Sequence, residues 1–148
     1  MKKLLIIALI FTIKCYSQNF TLSELLSLNS ASVEKSIEIL KNKGFKYIEG
    51  KEDKITLAYN YNKDDFGYDK EPKAQCWAYI FLTVNLKELT FANESKILSL
   101  KKELSLYKVD TKFYENYYTN NYLYGKHIID LDNNDKEGYY NILMTKKE

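Results

Sequence analysis

The spacing of apolar residues switches three times between a helical and a strand period, and this restricts the fold more than any motif does. Thr21 can cap a short helix carrying Leu22, Leu25, Leu26 and Leu28. Ser30 or Ser32 can cap a second, with Val33, Ile37 and Leu40 on one face. Lys41 and Lys43 fall in its last turn, Gly44 is a C′ stop, and Phe45 supplies the hydrophobic contact that follows such a stop. The period then becomes two. Phe45 and Tyr47 alternate with Lys46 and Ile48, and Ile55, Leu57, Tyr59 and Tyr61 alternate with Thr56, Ala58, Asn60 and Asn62.

Residues 62–74 are polar, charged and contain the sole proline, Pro72, and are expected to form a long loop. Gln75 to Val84 is apolar in both phases, with Cys76, Ala78, Ile80 and Leu82 in one and Trp77, Tyr79 and Phe81 in the other. That pattern predicts a central strand covered on both sides. The helical period returns after Asn93, a cap followed by Glu94 and a stripe of Ile97, Leu100 and Leu104. Three strand-like stretches follow, Tyr107 to Tyr118, Tyr122 to Leu131 and Tyr139 to Thr145, with turn signals at Asn120-Asn121, Gly125 and 132–138.

The order is therefore helix, strands, helix, strands, without a βαβ rhythm. It predicts an α+β fold, an antiparallel sheet with helices on one face, built by tandem duplication of a helix-plus-meander unit. This order is similar to the β-lactamase-inhibitor-protein type of architecture, in which two helix-plus-sheet units lie side by side. It also resembles many small exported bacterial proteins without known activity. The resemblance covers the order of elements and implies a fold; no motif carries it, so no residue role follows from it.

The first residues have the parts of an export signal. Lys2 and Lys3 precede an almost wholly apolar run from Leu4 to Ile13, and Cys15 and Ser17 are small residues placed for cleavage after Ser17. Ten apolar residues are short of the ~20 that span a bilayer. The expected division is thus a signal peptide over 1–17 and one α+β domain over 18–148, exported to the periplasm or beyond, with no stable membrane span after cleavage. A competing reading makes Cys15 an acylated first residue, although Lys14 precedes it where that processing favours a small side chain.

Losing Lys2, Lys3 and Lys14 takes the formal net charge from +2 to −1. Every basic residue is lysine, and bidentate recognition of phosphate or guanine favours arginine, so nucleic acid is not an expected partner. Only Cys76 remains after cleavage, which excludes an internal disulfide and leaves stability to the core.

Four sets of residues offer chemistry. Cys76 and His127, the sole thiol and imidazole after cleavage, could pair as nucleophile and base in a cell-wall or peptide hydrolase. Cys76-Trp77 resembles the Cys-Trp pair of papain-like and related peptidases. Those cysteines begin a helix and are flanked by glycines, whereas Cys76 lies in a strand pattern. Asp130, Asp132 and Asn134 have the opening spacing of a calcium loop, but Asp135 and Asn141 replace its glycine and its bidentate glutamate. Paired-carboxylate glycoside chemistry could draw on Asp64, Asp65 and Asp69, or on Asp130 and Asp132. None of these patterns calls for a metal or a cofactor.

The fourth set is the stretch FYENYYTNNYLY at 113–124, half of which is tyrosine or phenylalanine. Tyrosine gives large contact area at low entropic cost, although an AT-rich coding sequence also enriches it. If the strand is unbroken, Tyr114, Tyr118, Tyr122 and Tyr124 share a phase and are expected to be the more exposed, as anchors for binding. Phe113, Tyr117 and Leu123 are expected in the core. The function these readings favour is a non-catalytic protein-binding module, an inhibitor, immunity or accessory factor whose partner is another protein of the cell envelope or its surroundings. Sugar or small-ligand binding by exposed tyrosines is a further reading.

Overall fold

The computed structural model describes residues 19–66, 72–84, 86–92, 94–134 and 138–147, without the side chains of 63–66 and 72–73. Helix α1 (Leu22–Ser30) starts with a capping box, in which the Glu24 amide donates to Thr21 Oγ1 and the Thr21 amide to Glu24 Oε2. Helix α2 (Val33–Asn42) is capped by Ser32, which accepts from the Lys35 amide. It stops at Gly44, whose φ of +90° is open to glycine and strained for other residues.

Four strands follow as a meander: β1 (Phe45–Gly50), β2 (Lys54–Tyr59), β5 (Cys76–Phe81) and β6 (Leu86–Phe91). Between β2 and β5 the chain forms a small separate hairpin of β3 (Asn62–Phe66) and β4 (Pro72–Lys73). The expected long loop is thus partly strand; backbone pairing needs no apolar side chains. The second half repeats the order. A 3₁₀ turn at Glu94–Lys96 leads into α3 (Leu98–Leu104), and β7 (Lys108–Phe113), β8 (Tyr118–Tyr124), β9 (His127–Asn134) and β10 (Tyr139–Lys146) form a second meander. Asn93, the expected cap, lies outside the described residues.

The two meanders meet through their last strands. The sheet order is β1-β2-β5-β6-β10-β9-β8-β7, antiparallel throughout, with Phe91 opposite Tyr140 and Leu89 opposite Ile142. The fold is α+β, and the helix-plus-meander order occurs twice. No helix among the described residues is long and apolar enough to cross a membrane.

Side chains alternate across the sheet, and one phase makes the core. Phe45, Leu57, Cys76, Ala78, Ile80, Leu89, Phe91, Tyr122, Ile129, Leu131, Tyr140, Ile142 and Met144 pack with Leu25, Leu28 and Leu40 of the first helices and Leu100 and Leu104 of α3. Lys87 lies in this phase and is 5 % exposed. Its ammonium donates to the Asn29 carbonyl at 3.0 Å, at the C-terminal end of α1, where a cation meets the negative end of the helix. Burial pushes its pKa down.

Candidate functional site

The tyrosine-rich segment turns earlier than its sequence suggests. Tyr114 and Tyr117 close a tight turn, with the Tyr114 amide donating to the Tyr117 carbonyl at 2.9 Å and the two rings stacked 4.6 Å apart. Asn120 and Asn121 are not a turn but lie inside β8, because their side chains bond across strands: Thr111 Oγ1 donates to Asn120 Oδ1 at 2.8 Å, and Asn121 Nδ2 to Asp130 Oδ1 at 2.6 Å. The expected exposure holds at Tyr114 and Tyr124, which are 51 % and 39 % exposed, and fails at Tyr122. Tyr118, Tyr122 and Tyr124 share a phase, but it is the helix-facing one. Tyr122 is 4 % exposed and belongs to the core, and Tyr107 meets Tyr124 edge-on at 4.7 Å. The residues expected inside are outside. Phe113 is 81 % exposed at the end of edge strand β7, although it stands opposite Tyr118 in the helix-facing phase, and Tyr117 and Leu123 are also exposed.

Cys76 and His127 do not meet. Phe91 is opposite both Cys76 and Tyr140, and Tyr140 is opposite Asn133, so Cys76 is level with Asn133, six residues along β9 from His127. That is roughly 20 Å along the strand at about 3.3 Å per residue, with three inter-strand steps of about 4.8 Å besides. Cys76 is fully buried, which drives its thiol pKa up, the opposite of an activated nucleophile. His127 Nδ1 is 3.0 Å from Asn29 Nδ2, an amide donor that fixes this nitrogen as the acceptor. Burial, then the Lys146 charge, lowers the His127 pKa.

Asp130 and Asp132 are not in a loop either. They stand on β9, on the side of the sheet away from the helices, and no group of three metal-binding side chains occurs among the described residues. The side chains of Asp64 and Asp65, and all of Asp69, lie outside the described residues.

That second face of the sheet is the feature no single motif announced. None of the core cluster comes from it. Its registers align three rows of side chains. One runs Thr56, Tyr79, Glu88, Leu143, Asp130, Asn121. The next runs Ala58, Trp77, Thr90, Asn141, Asp132, Thr119, and a third is Leu86, Thr145, Ile128, Leu123. Trp77, Tyr79 and Leu143 are only half-buried, so among the described residues the expected cover on both sides of β5 is incomplete. Trp77 and Tyr79 lie nearly parallel, with centroids 6.4 Å apart, Tyr61 packs edge-on to Trp77, and the Lys54 ammonium sits 4.7 Å above the Tyr79 ring.

Carboxylates occupy the middle of this face. Thr119 Oγ1 donates to Asp132 Oδ1 at 2.6 Å, and Thr90 Oγ1 to Glu88 Oε1 at 3.3 Å. Burial and then the neighbouring Asp132 charge raise the Glu88 pKa, though Thr90 and Lys54 oppose this. Burial and then Asp130 raise that of Asp132, against the Thr119 bond. Among the described residues, no lysine forms an ion pair with Glu88, Asp130 or Asp132. Asn121 Oδ1 and Asn141 Oδ1 are buried and accept no hydrogen bond. Beside them a recess of about 250 Å³ is lined by Tyr117, Asp132, Asn134, Tyr139 and Asn141.

The signal for this face was in the alternation. Ile129-Asp130-Leu131-Asp132 and Leu86-Lys87-Glu88-Leu89-Thr90-Phe91 have the period of two that puts Glu88, Asp130 and Asp132 on one side. No family model, curated protein or solved structure matches this chain.

Proposed function

We propose that this chain is an exported, non-catalytic module that binds another protein through the helix-free face of its sheet, as an inhibitor, immunity or accessory factor of the cell envelope. One observation carries the reading: the second face of an eight-stranded sheet, with Trp77, Tyr79, Leu143 and Ile128 half-buried on it, contributes nothing to the core cluster among the described residues. Eight strands about 4.8 Å apart span roughly 34 Å, and six residues of strand about 20 Å. The face is therefore on the order of 700 Å², close to the ~800 Å² that one partner contributes to a standard interface. Aromatic side chains on a shallow surface suit such an interface better than they suit enclosure of a small molecule. Export rests on the order of Lys2 and Lys3, the apolar run and the small residues before Gln18. The tyrosines of the 113–124 segment enter this reading through Tyr117, which borders the face, and Tyr114 stacked on it.

A photo-reactive amino acid placed at Leu143, in the middle of the face, tests the reading against the same group at Glu38, on the exposed side of α2. In the producing cell, a discrete cross-linked protein is expected from position 143 and not from 38. The same products from both positions, or none from 143, would refute it.

A further inference from the structure

We propose that two copies of this chain pair through edge strand β7, antiparallel about a two-fold axis at Thr111, so that their sheets become one. β7 is an edge of the sheet, and every residue on it but Thr111 is exposed. Its one irregularity, a bulge between Lys108 and Asp110, leaves Asp110 to Phe113 in regular register against β8. The other edge, β1, is broken in its middle, between Tyr47 and Glu49. Backbone direction decides which groups of β7 are free. The Tyr114 amide donates to the Tyr117 carbonyl on the β8 side, and residues that bond a given neighbour alternate along an antiparallel ladder. Asp110, Lys112 and Tyr114 therefore bond inward to β8, while Thr111 and Phe113 turn N–H and C=O to the open edge. The Thr111 amide agrees with this, since it donates to the carboxylate of its own neighbour, Asp110 Oδ1, at 2.7 Å.

An added antiparallel strand pairs outward residues with outward residues, so its register moves in steps of two residues. Charge selects among these registers. With Thr111 opposite Thr111, Asp110 of each copy stands opposite Lys112 of the other copy. These are the non-hydrogen-bonded pairs, in which side chains come closest. Sliding one step either way sets Lys112 against Lys112 or Asp110 against Asp110. Among the described residues neither Asp110 nor Lys112 forms an ion pair within the chain. The same register brings the exposed Phe113 level with the exposed Val109 of the other copy. Charged side chains commonly keep an edge strand from pairing. Here aspartate and lysine flank Thr111 symmetrically, which makes the edge complementary to itself. A two-fold axis at this place runs perpendicular to the sheet. It puts the helices of both copies on one side and both helix-free faces on the other, side by side.

Sedimentation equilibrium of the protein purified from the producing cell tests the pairing. One pair of strands is a small contact, below ~1,200 Å², so dimer is expected to appear progressively between about 1 and 500 μM. Asp110→Lys and, separately, Lys112→Asp should each weaken association roughly tenfold or more, because two opposite-charge pairs become like-charge pairs in every dimer. The variant carrying both exchanges restores the pairs with their signs reversed and should associate within about threefold of the parent. Thr111→Cys should give a disulfide-linked dimer under mild oxidation, since opposed Cα atoms about 5.5 Å apart lie within disulfide range and the buried Cys76 does not compete. Val109→Cys places its two thiols four residues apart along the strands, about 13 Å, and should not link. Monomer at every concentration, single exchanges that associate like the parent, a double variant as weak as the singles, or Val109→Cys linking as readily as Thr111→Cys would overturn the inference.

Discussion

Replacing Tyr122 by alanine and, separately, Phe113 by alanine tests which aromatic side chains of this segment the core holds. Tyr122 is 4 % exposed and stands opposite Ile129. Truncating a buried aromatic side chain costs about 3–5 kcal/mol, as lost transfer energy plus a cavity that neighbours only partly fill. At about 4 °C per kcal/mol for a domain of this size, the Tyr122→Ala melting temperature should fall by roughly 12–20 °C. Tyr122→Phe keeps the buried ring and should lower it by far less, within roughly 4 °C of the parent. Phe113→Ala changes a side chain that is 81 % exposed and should stay within about 2 °C of the parent. Thermal unfolding followed by far-ultraviolet circular dichroism gives all three values. A Phe113 variant that melts as early as the Tyr122→Ala variant, or a Tyr122→Ala variant that melts with the parent, would refute this assignment of burial.

Gly44→Ala places a methyl group where φ is +90° and 3.1 Å from the Tyr59 ring, and should cost about 1–2 kcal/mol in denaturant titrations. Cys76 should resist thiol reagents until the protein unfolds, and Cys76→Ser should cost about 1 kcal/mol or somewhat more while leaving partner cross-linking intact. Glu88 and Asp132 have folded pKa values above their unfolded ones, so the native state holds their protons more tightly. The stability this gives is complete below the unfolded values near pH 4 and is lost as pH rises through the raised folded values. Glu88→Gln and Asp132→Asn should therefore raise the melting temperature at pH 7 relative to the parent, and gain little at pH 3; a loss at pH 7 would contradict the sign.

The helices and the way the first unit begins could be read directly from the sequence because local chemistry decides them. Thr21 with Glu24, Ser32 and Gly44 act on backbone groups within a few residues, so their roles do not depend on the rest of the fold. Period two likewise identified the burial of Cys76, Ala78 and Ile80. It could not say which side of the sheet the helices would cover, so Trp77 and Tyr79 were expected to be covered and Tyr122 to be exposed. Strand β6 was hidden by Lys87, a charged residue in the inward phase whose ammonium finds the end of α1, a partner distant in sequence. Asn120-Asn121 has turn composition, but cross-strand bonds to Thr111 and Asp130 hold it in a strand. The binding face needed both meanders, because Tyr79, Glu88 and Asp130 become neighbours only after β6 pairs with β10.

The junction of β6 with β10 bears on how such a chain acquires its structure. The last strand in chain order among those described lies in the middle of the sheet, and both edges, β1 and β7, come from earlier in the sequence. Every earlier stage of assembly has β6 and β9 with unpaired inner edges, and the core row of Leu89, Ile142 and Leu131 is incomplete until β10 arrives between them. Pairing of residues as distant as Phe91 and Tyr140 makes this step slow relative to the hairpins on either side. The sheet is thus joined from its centre rather than extended from a rim. A chain shortened before Tyr139 would leave two partial sheets with exposed edges, prone to pair with one another and with other copies.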